Sequence, residues 1–470
     1  MGTISSAFSM MSQALDADQA ALNIVANNVA NANTTGYTEE TPNWQENEPI
    51  EIDGVSYGAG VTDTGATSVR NSVLVARLDQ QQQLASASAS RLTALDTIQT
   101  LFTPDSGSSS STAGDIGSDI TSFFSSLSSL EANPTVSSDR QAVLSAAKTL
   151  AGDISNAADS LNSQRSALDQ EAAGTTSQVN SLTTAIAQLN QQIQSSSPDA
   201  DAGTLEDQRS EDVSQLSKLI GINQVTTENN GLSITTTSGQ LLVSEGSSYQ
   251  LTTGTVDGVT DFFLGGTDIT SQLASGGGSL GGYLTARDVD IPSALSSLDQ
   301  LAYSISTSVN KQNNAGTDLD GDNGNAGNIF SEPTAVAGSA ASMSVVMTDP
   351  NHIAAAGLGD GTGDNSNAIA MADLANQAIV DGETPSNFYS NFVSALGSTV
   401  SGVQTENTAQ NASVTQLQTQ NSAISGVNLN DEASSMTTLE RSYQAASQVF
   451  TMLNTIMASA LNLGDQTSVS

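Results

Sequence analysis

Residues 1–37 read MGTISSAFSMMSQALDADQAALNIVANNVANANTTGY, and their apolar positions determine how this end of the chain folds. Apolar side chains recur there in alternating steps of four and three residues, and Asp18 occupies the one position that interrupts them. This spacing predicts a long helix with the narrow apolar stripe of a coiled coil, not the broad face of an ordinary globular helix. The stripe consists of Ile4, Phe8, Met11, Leu15, Leu22, Val25, Val29 and Ala32.

The C-terminal end of the chain follows the same rule. Asn430 is a candidate N-cap, and Asp431 and Glu432 lie in the first turn, where negative charge stabilises a helix. The C-terminal stripe consists of Met436, Leu439, Tyr443, Ala446, Phe450, Leu453, Met457 and Ala460. We therefore predict an assembly interface made by Ile4, Phe8, Met11, Leu15, Leu22, Val25 and Val29 together with Met436, Leu439, Tyr443, Ala446, Phe450, Leu453 and Met457.

Two interpretations of these stripes compete: core helices of one domain, or an interface that neighbouring copies complete. The stripes are narrow, and they lie at opposite ends of the chain. The apolar area that two such stripes bury in a single pairing is small compared with the backbone entropy lost on ordering both helices. We therefore expect the ends to be flexible in the isolated chain and to become ordered on assembly.

The segments between the ends indicate a nested organisation. The strongest helical periodicity runs through residues 161–193, whereas apolar and polar residues alternate with period two after Asn223. A short strand is predicted over Ser342–Met347, and a Ser-rich loop over Ser106–Thr112. The predicted fold is mainly α with a small β insertion, in discontinuous nested domains. The domains are a terminal coiled-coil domain (1–45 and 428–470), a helical bundle (46–221 and 284–427, irregular or β-like near 313–365) and a β-rich insertion (222–283).

The composition excludes several classes of partner. The 470 residues carry 11 Lys and Arg against 49 Asp and Glu, a formal net charge of −38. Phosphate backbones and anionic lipids attract clustered basic residues, so we expect no nucleic-acid and no membrane partner. We also find no apolar run long enough to span a bilayer, and the N-terminus has neither the basic nor the apolar region of a Sec signal peptide.

Few residues offer chemistry that an enzyme needs. The chain has no cysteine and a single histidine, His352, so thiol catalysis is excluded and we expect no histidine-based triad. Asp318, Asp320 and Asp322 resemble the start of a calcium loop, but Asn323 replaces the glycine and Ile329 the glutamate that an EF-hand requires. We expect a hydrogen-bonded turn there. No catalytic residue, no cofactor and no metal ligand is predicted.

Both termini carry recognisable motifs. The stretch Asn27–Tyr37, NNVANANTTGY, closely resembles the N-terminal signature of flagellar rod, hook and hook-associated proteins. Residues Gly426–Ala433, GVNLNDEA, with Tyr443-Gln444-Ala445 and the tail Leu461-Asn462-Leu463, resemble the C-terminal segment that these axial proteins share.

The middle of the chain resembles the hook-associated members of this family. The matching stretches occur in the family's order and span most of the chain, and together they are far more specific than any one alone. They are ANP at 132–134, RQAVL at 140–144, QLNQQI at 188–193, DQR at 207–209, GGYLTARD at 281–288 and GTDL at 316–319. The chain departs from the family at Leu205-Glu206 and at Glu39-Glu40, and its β insertion is short.

The resemblance implies a structural, non-enzymatic subunit of the bacterial flagellum, located at the junction between hook and filament. Such a subunit assembles with copies of itself into a ring and contacts the hook protein and other hook-associated proteins. It leaves the cell through the flagellar type III export apparatus without a cleaved signal, after an export chaperone has held its C-terminal helix. The resemblance thus implies an extracellular location in the flagellum.

Three alternatives remain open from sequence, one of which is an autonomous coiled-coil scaffold that self-assembles through fully helical ends. A hook or distal rod subunit shares the terminal signatures but should lack the long apolar repeat at Val179–Ile193 and the Asp207-Gln208-Arg209 stretch. A secreted calcium-dependent adhesin or glycan-active protein would instead place its function in the β insertion and the Asp318–Asp322 loop.

Overall fold

The computed structural model describes residues 2–34, 36–52, 54–102, 115–195, 203–256 and 258–466. About 65% of the chain is helical, and the remaining regular structure forms small antiparallel sheets. The prediction of a mainly helical fold with a β insertion is therefore confirmed. One expected feature, the Ser-rich loop at Ser106–Thr112, lies outside the described residues.

Long helices dominate the chain. A π-helical turn, Ala286–Asp290, lies within the continuous helical run from Gly278 to Asn313. The helices are α1 (Gly2–Asn31), α2 (Ser72–Phe102), α3 (Ile116–Ala132), α4 (Ser137–Ser195), α5 (Gly203–Leu219), α6 (Thr270–Gly276), α7 (Gly278–Thr285), α8 (Ile291–Asn313), α9 (Ser366–Asp373), α10 (Pro385–Ser425) and α11 (Leu429–Gln466).

The strands form short antiparallel sheets. In the described residues they are β1 (Glu40–Glu46), β2 (Ile50–Ile52), β3 (Val55–Tyr57), β4 (Val61–Ser68), β5 (Ile222–Thr226), β6 (Leu232–Thr236), β7 (Leu241–Ser244), β8 (Ser247–Ser248), β9 (Leu251–Val256), β10 (Val259–Leu264), β11 (Thr267–Asp268), β12 (Gly316–Thr317) and β13 (Ala356–Gly357). The pairings are β1 with β4, β2 with β3, and β12 with β13, and the sheet orders are β5-β6-β7-β8 and β11-β10-β9.

The larger hydrophobic core lies among α2, α3, the first half of α4, α8, α9 and the start of α10. Leu95, Phe123, Leu298 and Phe330 have no exposed surface there. The rings of Phe123 and Phe330 meet edge to face with centroids 5.5 Å apart. This region is closely packed on all sides, as a finished domain core should be.

A second core joins the other half of α4 to the β insertion. Val179 and Ile186 of α4 pack with Leu216 of α5 and with Ile234 and Phe262 of the sheets, all fully buried. Helix α4 contributes to both cores, and its 59 residues span about 90 Å at 1.5 Å per residue. The long apolar repeat of α4 therefore packs into both cores.

Two features differ from the sequence interpretation. The strands β1–β4 lie within a stretch where no strand was anticipated. Strands β1 and β4 lack a regular apolar alternation and are held by their mutual pairing and by contact with α1. Strands β2 and β3 do alternate around Asp53-Gly54, a hairpin signal that the sequence analysis missed. The stretch Ser342–Met347 is not a strand; it makes only an isolated bridge from Val345 to Phe330.

Candidate assembly interface

The terminal helices α1 and α11 pack side by side along the predicted stripes. Phe8 and Phe450 meet with ring centroids 4.3 Å apart and a tilt of 36° between the ring planes. An aromatic pair at this distance contributes beyond its buried area. The structure therefore brings together two chain segments more than 400 residues apart in the sequence.

The structure places the predicted interface residues on this seam with unequal burial. Val25 is buried, whereas Val29 and Tyr443 are 40% and 38% exposed. The others are partly buried: Ile4, Phe8, Met11, Leu15, Leu22, Met436, Leu439, Ala446, Phe450, Leu453 and Met457. A pair of helices that fully buries only one of these fourteen side chains has the character of an incomplete interface.

Helix α11 also carries a second apolar stripe that sequence analysis did not identify. Val449, Met452 and Ile456 follow a three- and four-residue spacing and are 42%, 62% and 51% exposed. They lie to one side of the seam that faces α1, because each residue turns the helix by about 100°. A shallow depression of about 580 Å³ runs beside Met452 and Ile456.

A buried hydrogen-bond node at Asn28 fastens the base of the helix pair. The Nδ2 atom of Asn28 donates to the Glu432 carboxylate and to the Glu40 carbonyl, each at 2.8 Å. The Oδ1 atom accepts from the Tyr37 hydroxyl at 2.8 Å and from the Glu40 amide at 3.0 Å. Asn28 is 1% exposed and Glu432 6% exposed. This node explains why the signature around Asn28 and Tyr37 needs those residue types.

Tyr37 stays a neutral donor within this acidic node. Burial, together with the charges of Glu40, Asp207 and Glu432, raises the pKa of Tyr37 to about 12. A phenol with that pKa remains protonated at every physiological pH, so its hydroxyl donates a hydrogen bond to Asn28 without adding charge.

A second node connects the terminal pair to the helical middle. Thr38 donates to Asp207 through its backbone amide at 2.9 Å and its hydroxyl at 2.7 Å. Arg70 forms ion pairs with both Glu206 and Asp207. The Glu39 amide donates to the Ser425 carbonyl at 2.9 Å, which holds the connection between α10 and α11 in the same place.

The N-cap of α11 is Asn428, two residues before the predicted Asn430. Its Oδ1 atom accepts from the Asn430 amide at 3.1 Å, and its Nδ2 atom donates to Asp431 at 2.8 Å. Asp431 and Glu432 lie in the first turn as predicted. Glu432 therefore has two roles: its charge stabilises the start of the helix, and its carboxylate accepts the hydrogen bond from Asn28.

The Asp318–Asp322 loop is a hydrogen-bonded turn tied to the single histidine. One carboxylate oxygen of Asp318 accepts from the amides of Asp320 and Asp322 at 3.0 and 2.9 Å, and the other meets His352 Nδ1 at 2.8 Å. Burial alone would raise the pKa of Asp318, but these hydrogen bonds hold it below its ordinary value.

The same hydrogen bond from Asp318 raises the pKa of His352. The side chains that could offer ligand atoms to a cation here are Asp318, Asp322 and His352, or Asp320, Asp349 and His352. Both oxygens of Asp318 are already engaged by donors within the protein.

None of the described helices is both long enough and apolar enough to cross a membrane.

Three family models match the sequence. Residues 105–330 match the model described as flagellar hook-associated protein FlgK helical domain. Residues 11–38 match the flagella basal body rod protein model, and residues 418–463 match the flagellar basal body rod FlgEFG protein C-terminal model. The two rod-family matches fall on the segments that form the α1–α11 pair and the Asn28 node.

Curated relatives match along nearly their whole length. The chain is 26% identical to flagellar hook-associated protein 1 of Salmonella typhimurium over 96% of this chain and 98% of that protein. It is 25% identical to the proteins of the same name from Escherichia coli and Bacillus subtilis, covering 98% and 96% of those proteins.

A solved structure shares the fold. The structure of the flagellar hook junction protein FlgK from Burkholderia pseudomallei superimposes with a TM-score of 0.64. The alignment covers 73% of this chain and 99% of that one, at 19% sequence identity.

Proposed function

The chain belongs to the family of flagellar hook-associated protein 1, and from this premise we propose that it forms the junction between flagellar hook and filament. The family is structural and non-enzymatic. The protein is an extracellular component of the flagellar axis and acts in motility. The three relatives compared above are all hook-associated protein 1, which favours the junction over a hook or rod subunit and over an adhesin.

One observation supports the mechanism: the seam of the α1–α11 pair is only partly buried, and an exposed apolar stripe lies beside it. In our proposal, neighbouring copies cover Val449, Met452 and Ile456 while completing the seam at Phe450 and Leu453. Apolar burial between copies supplies the driving force, and the seam orders as the ring grows. The predicted interface residues keep this role as part of the proposal.

Partners follow from the place in the flagellum. Membership in an axial family implies flagellar partners. We assign as partners other copies of this chain, the hook protein on one side and other hook-associated proteins on the other. An export chaperone holds the C-terminal helix before export through the flagellar type III apparatus, because an exposed apolar stripe on α11 would otherwise associate with other apolar surfaces.

The division of the chain into units is also proposed. The terminal unit comprises 1–45 and 428–470, the helical bundle 46–221 and 284–427, and the β insertion 222–283. Two separate hydrophobic clusters support a division between the bundle and the β insertion, although α4 contributes to both. The Thr38–Asp207 and Arg70 contacts form the connection to the terminal unit.

The test replaces Leu453 on the seam by aspartate. Leu453→Asp places an unpaired charge in the interface, and we expect fewer junctions with this chain by immunolabelling and poor filament retention, with little loss of monomer stability. Gln444→Asp is the matched control, because Gln444 is exposed and nine residues away, half a turn around the helix. Normal junctions with Leu453→Asp, or equal loss of assembly and monomer stability, would overturn the proposal.

A further inference from the structure

The hairpin formed by β2 and β3 has an uncovered apolar face. Its register places Ile50 opposite Tyr57, and Val55 shares a face with Tyr57 because alternate residues of a strand point the same way. Ile50, Val55 and Tyr57 are 45%, 53% and 47% exposed. A two-stranded hairpin is marginally stable by itself, so this face needs a covering surface.

The hairpin is also strongly acidic. Residues 40–68 contain six Asp and Glu residues and no Lys, Arg or His. Glu46, Glu48 and Glu51 are exposed near the apolar face. A surface that covers this hairpin should therefore combine an apolar contact with positive charge.

One groove in the described part of the chain has this combination. It lies between the start of α2, α5 and β5, has a volume of about 620 Å³, and is lined by three arginines, Arg70, Arg77 and Arg209, against one carboxylate, Glu206. The whole chain has only 11 basic residues. Val73, which lies one turn from Arg77 on α2, is 62% exposed in the wall of the groove.

The arginines of the groove are not equally available. Arg70 is paired with Glu206 and Asp207, and Arg209 donates to Asn190 at 2.9 Å and to the Asn230 carbonyl at 2.6 Å. Arg77 is exposed and has no ion pair or hydrogen bond with any residue that the structure describes. Arg77 is therefore the cation that remains free for an acidic partner.

We infer that the β2–β3 hairpin of one copy docks into the α2–β5 groove of the neighbouring copy. Ile50, Val55 and Tyr57 cover Val73, and Glu48 and Glu51 approach Arg77. This inference rests on the proposed function, since it names a contact between copies in the ring that lies outside the terminal helices.

The hairpin cannot occupy the groove of its own chain. The strand that leads into the hairpin runs alongside α1. The Glu40 carbonyl accepts a hydrogen bond from Asn28, and Asn47 Nδ2 donates to Gln13 Oε1 at 3.1 Å. Fifteen residues of helix separate Asn28 from Gln13, a distance of about 22 Å. The groove adjoins the Glu40 end, and the hairpin tip lies beyond the Asn47 end.

Because hairpin and groove are different surfaces of one chain, their contact is heterologous. Each copy offers a hairpin to one neighbour and a groove to the other. A heterologous contact joins copies head to tail and generates a ring or a helical path, not a closed dimer.

The test uses disulfide formation, because the natural chain has no cysteine. The full-length double variant Val55→Cys with Val73→Cys is expressed in motile cells, and isolated flagella are oxidised mildly. We expect a ladder of dimers and larger species of this chain on a non-reducing gel. Each single variant should give no ladder, because one cysteine per copy can at most join two copies.

The matched control moves the groove cysteine to Val225. Val225 is 59% exposed on β5 but outside the groove, so Val55→Cys with Val225→Cys should give no ladder. Flagella that contain the Val55–Val73 variant at the junction but yield no ladder would overturn the inference while leaving the proposed function intact. A ladder equally strong with Val225 would also overturn it. Absence of wild-type chain from the junction would refute the proposed function itself.

Charge reversal provides the second measurement. Arg77→Glu in the double-cysteine background should lower the yield of crosslinked species about threefold, the size expected for an exposed ion pair. Glu51→Lys added to Arg77→Glu should restore part of the yield. A yield unaffected by either change, or a crosslink from Val55 to the hook protein in place of this chain, would contradict docking into the α2–β5 groove.

Discussion

The helical middle and the terminal pair both contain helices with an apolar repeat, but the two regions bury that repeat to very different extents. In the middle, α4 buries residues along most of its length against its own chain, and Leu144, Leu161 and Ile186 have almost no exposed surface. In α11, among the side chains that the structure describes, only Glu432 is buried. The difference teaches that an apolar repeat by itself does not distinguish a core from an interface. A core helix is surrounded by many elements of the same chain, whereas an interface helix is surrounded by few of them.

The largest expected effect separates the two regions by one aromatic deletion in each. Phe123→Ala removes a ring with no exposed surface and should lower the free energy of unfolding by about 3–5 kcal/mol. Phe450→Ala removes a partly exposed ring and should lower it by about 1 kcal/mol, yet reduce incorporation at the junction strongly. Chemical denaturation and junction labelling measure the two effects.

Equal destabilisation of the monomer by both substitutions would show that the terminal pair is as complete as the middle. The comparison between the regions would then fail.

A pH-dependent stability is expected in the middle region. Asp79 of α2 is 1% exposed and accepts a hydrogen bond from Gln224 at 2.7 Å. Burial raises the pKa of Asp79 from 3.8 to about 6. Because the folded pKa is the higher one, its stabilising contribution is complete below pH 4 and is lost as the pH rises through 6.

Asp79→Asn should therefore stabilise the protein at pH 7.5 by about 2–3 kcal/mol and have little effect near pH 4. Urea denaturation at the two pH values measures the difference. Asp212→Asn on α5 serves as the comparison, since Asp212 is less buried. A stabilisation that is the same at both pH values would argue against an ionised, buried Asp79.

A smaller effect is expected at the base of the terminal pair. Asn28→Ala leaves the Glu432 carboxylate and the Tyr37 hydroxyl without their partner, which should weaken this node by about 1–3 kcal/mol. Faster hydrogen exchange in the first turns of α11 would report the change. Asn27→Ala is the control, because Asn27 is exposed and its side chain accepts only from Asn31. Similar exchange in both variants would mean that the node does not hold α11.

The sequence predicted the helical elements well where a long period was present. The repeats ending at Ile193 and beginning near Met436 identified α4 and α11, and the two terminal stripes include Phe8 and Phe450, whose rings meet in the structure. The Asn28 node was not predicted, because a hydrogen bond between residues 404 positions apart leaves no local pattern. The motif NNVANANTTGY marked its importance without revealing its partner.

The hairpins β1–β4 were missed for a related reason. The residues of β1 and β4 alternate poorly, whereas residues 50–57 alternate cleanly around Asp53-Gly54, but their apolar face at Ile50 and Tyr57 is uncovered in a single chain. Likewise, the second stripe at Val449, Met452 and Ile456 was missed because each of its residues directly precedes a residue of the stronger stripe that faces α1. Both features belong to surfaces that other copies are proposed to cover, so the energetic reason for these residues lies outside the single chain.

Hydrogen exchange tests the central claim most directly. Amide exchange is compared between the isolated full-length chain and the same chain in purified flagella, for α4 and for residues 440–457 of α11. We predict that α4 is strongly protected in both states, whereas α11 exchanges rapidly in the isolated chain and becomes protected in the flagellum. An isolated chain in which α11 is protected as strongly as α4 would contradict the account.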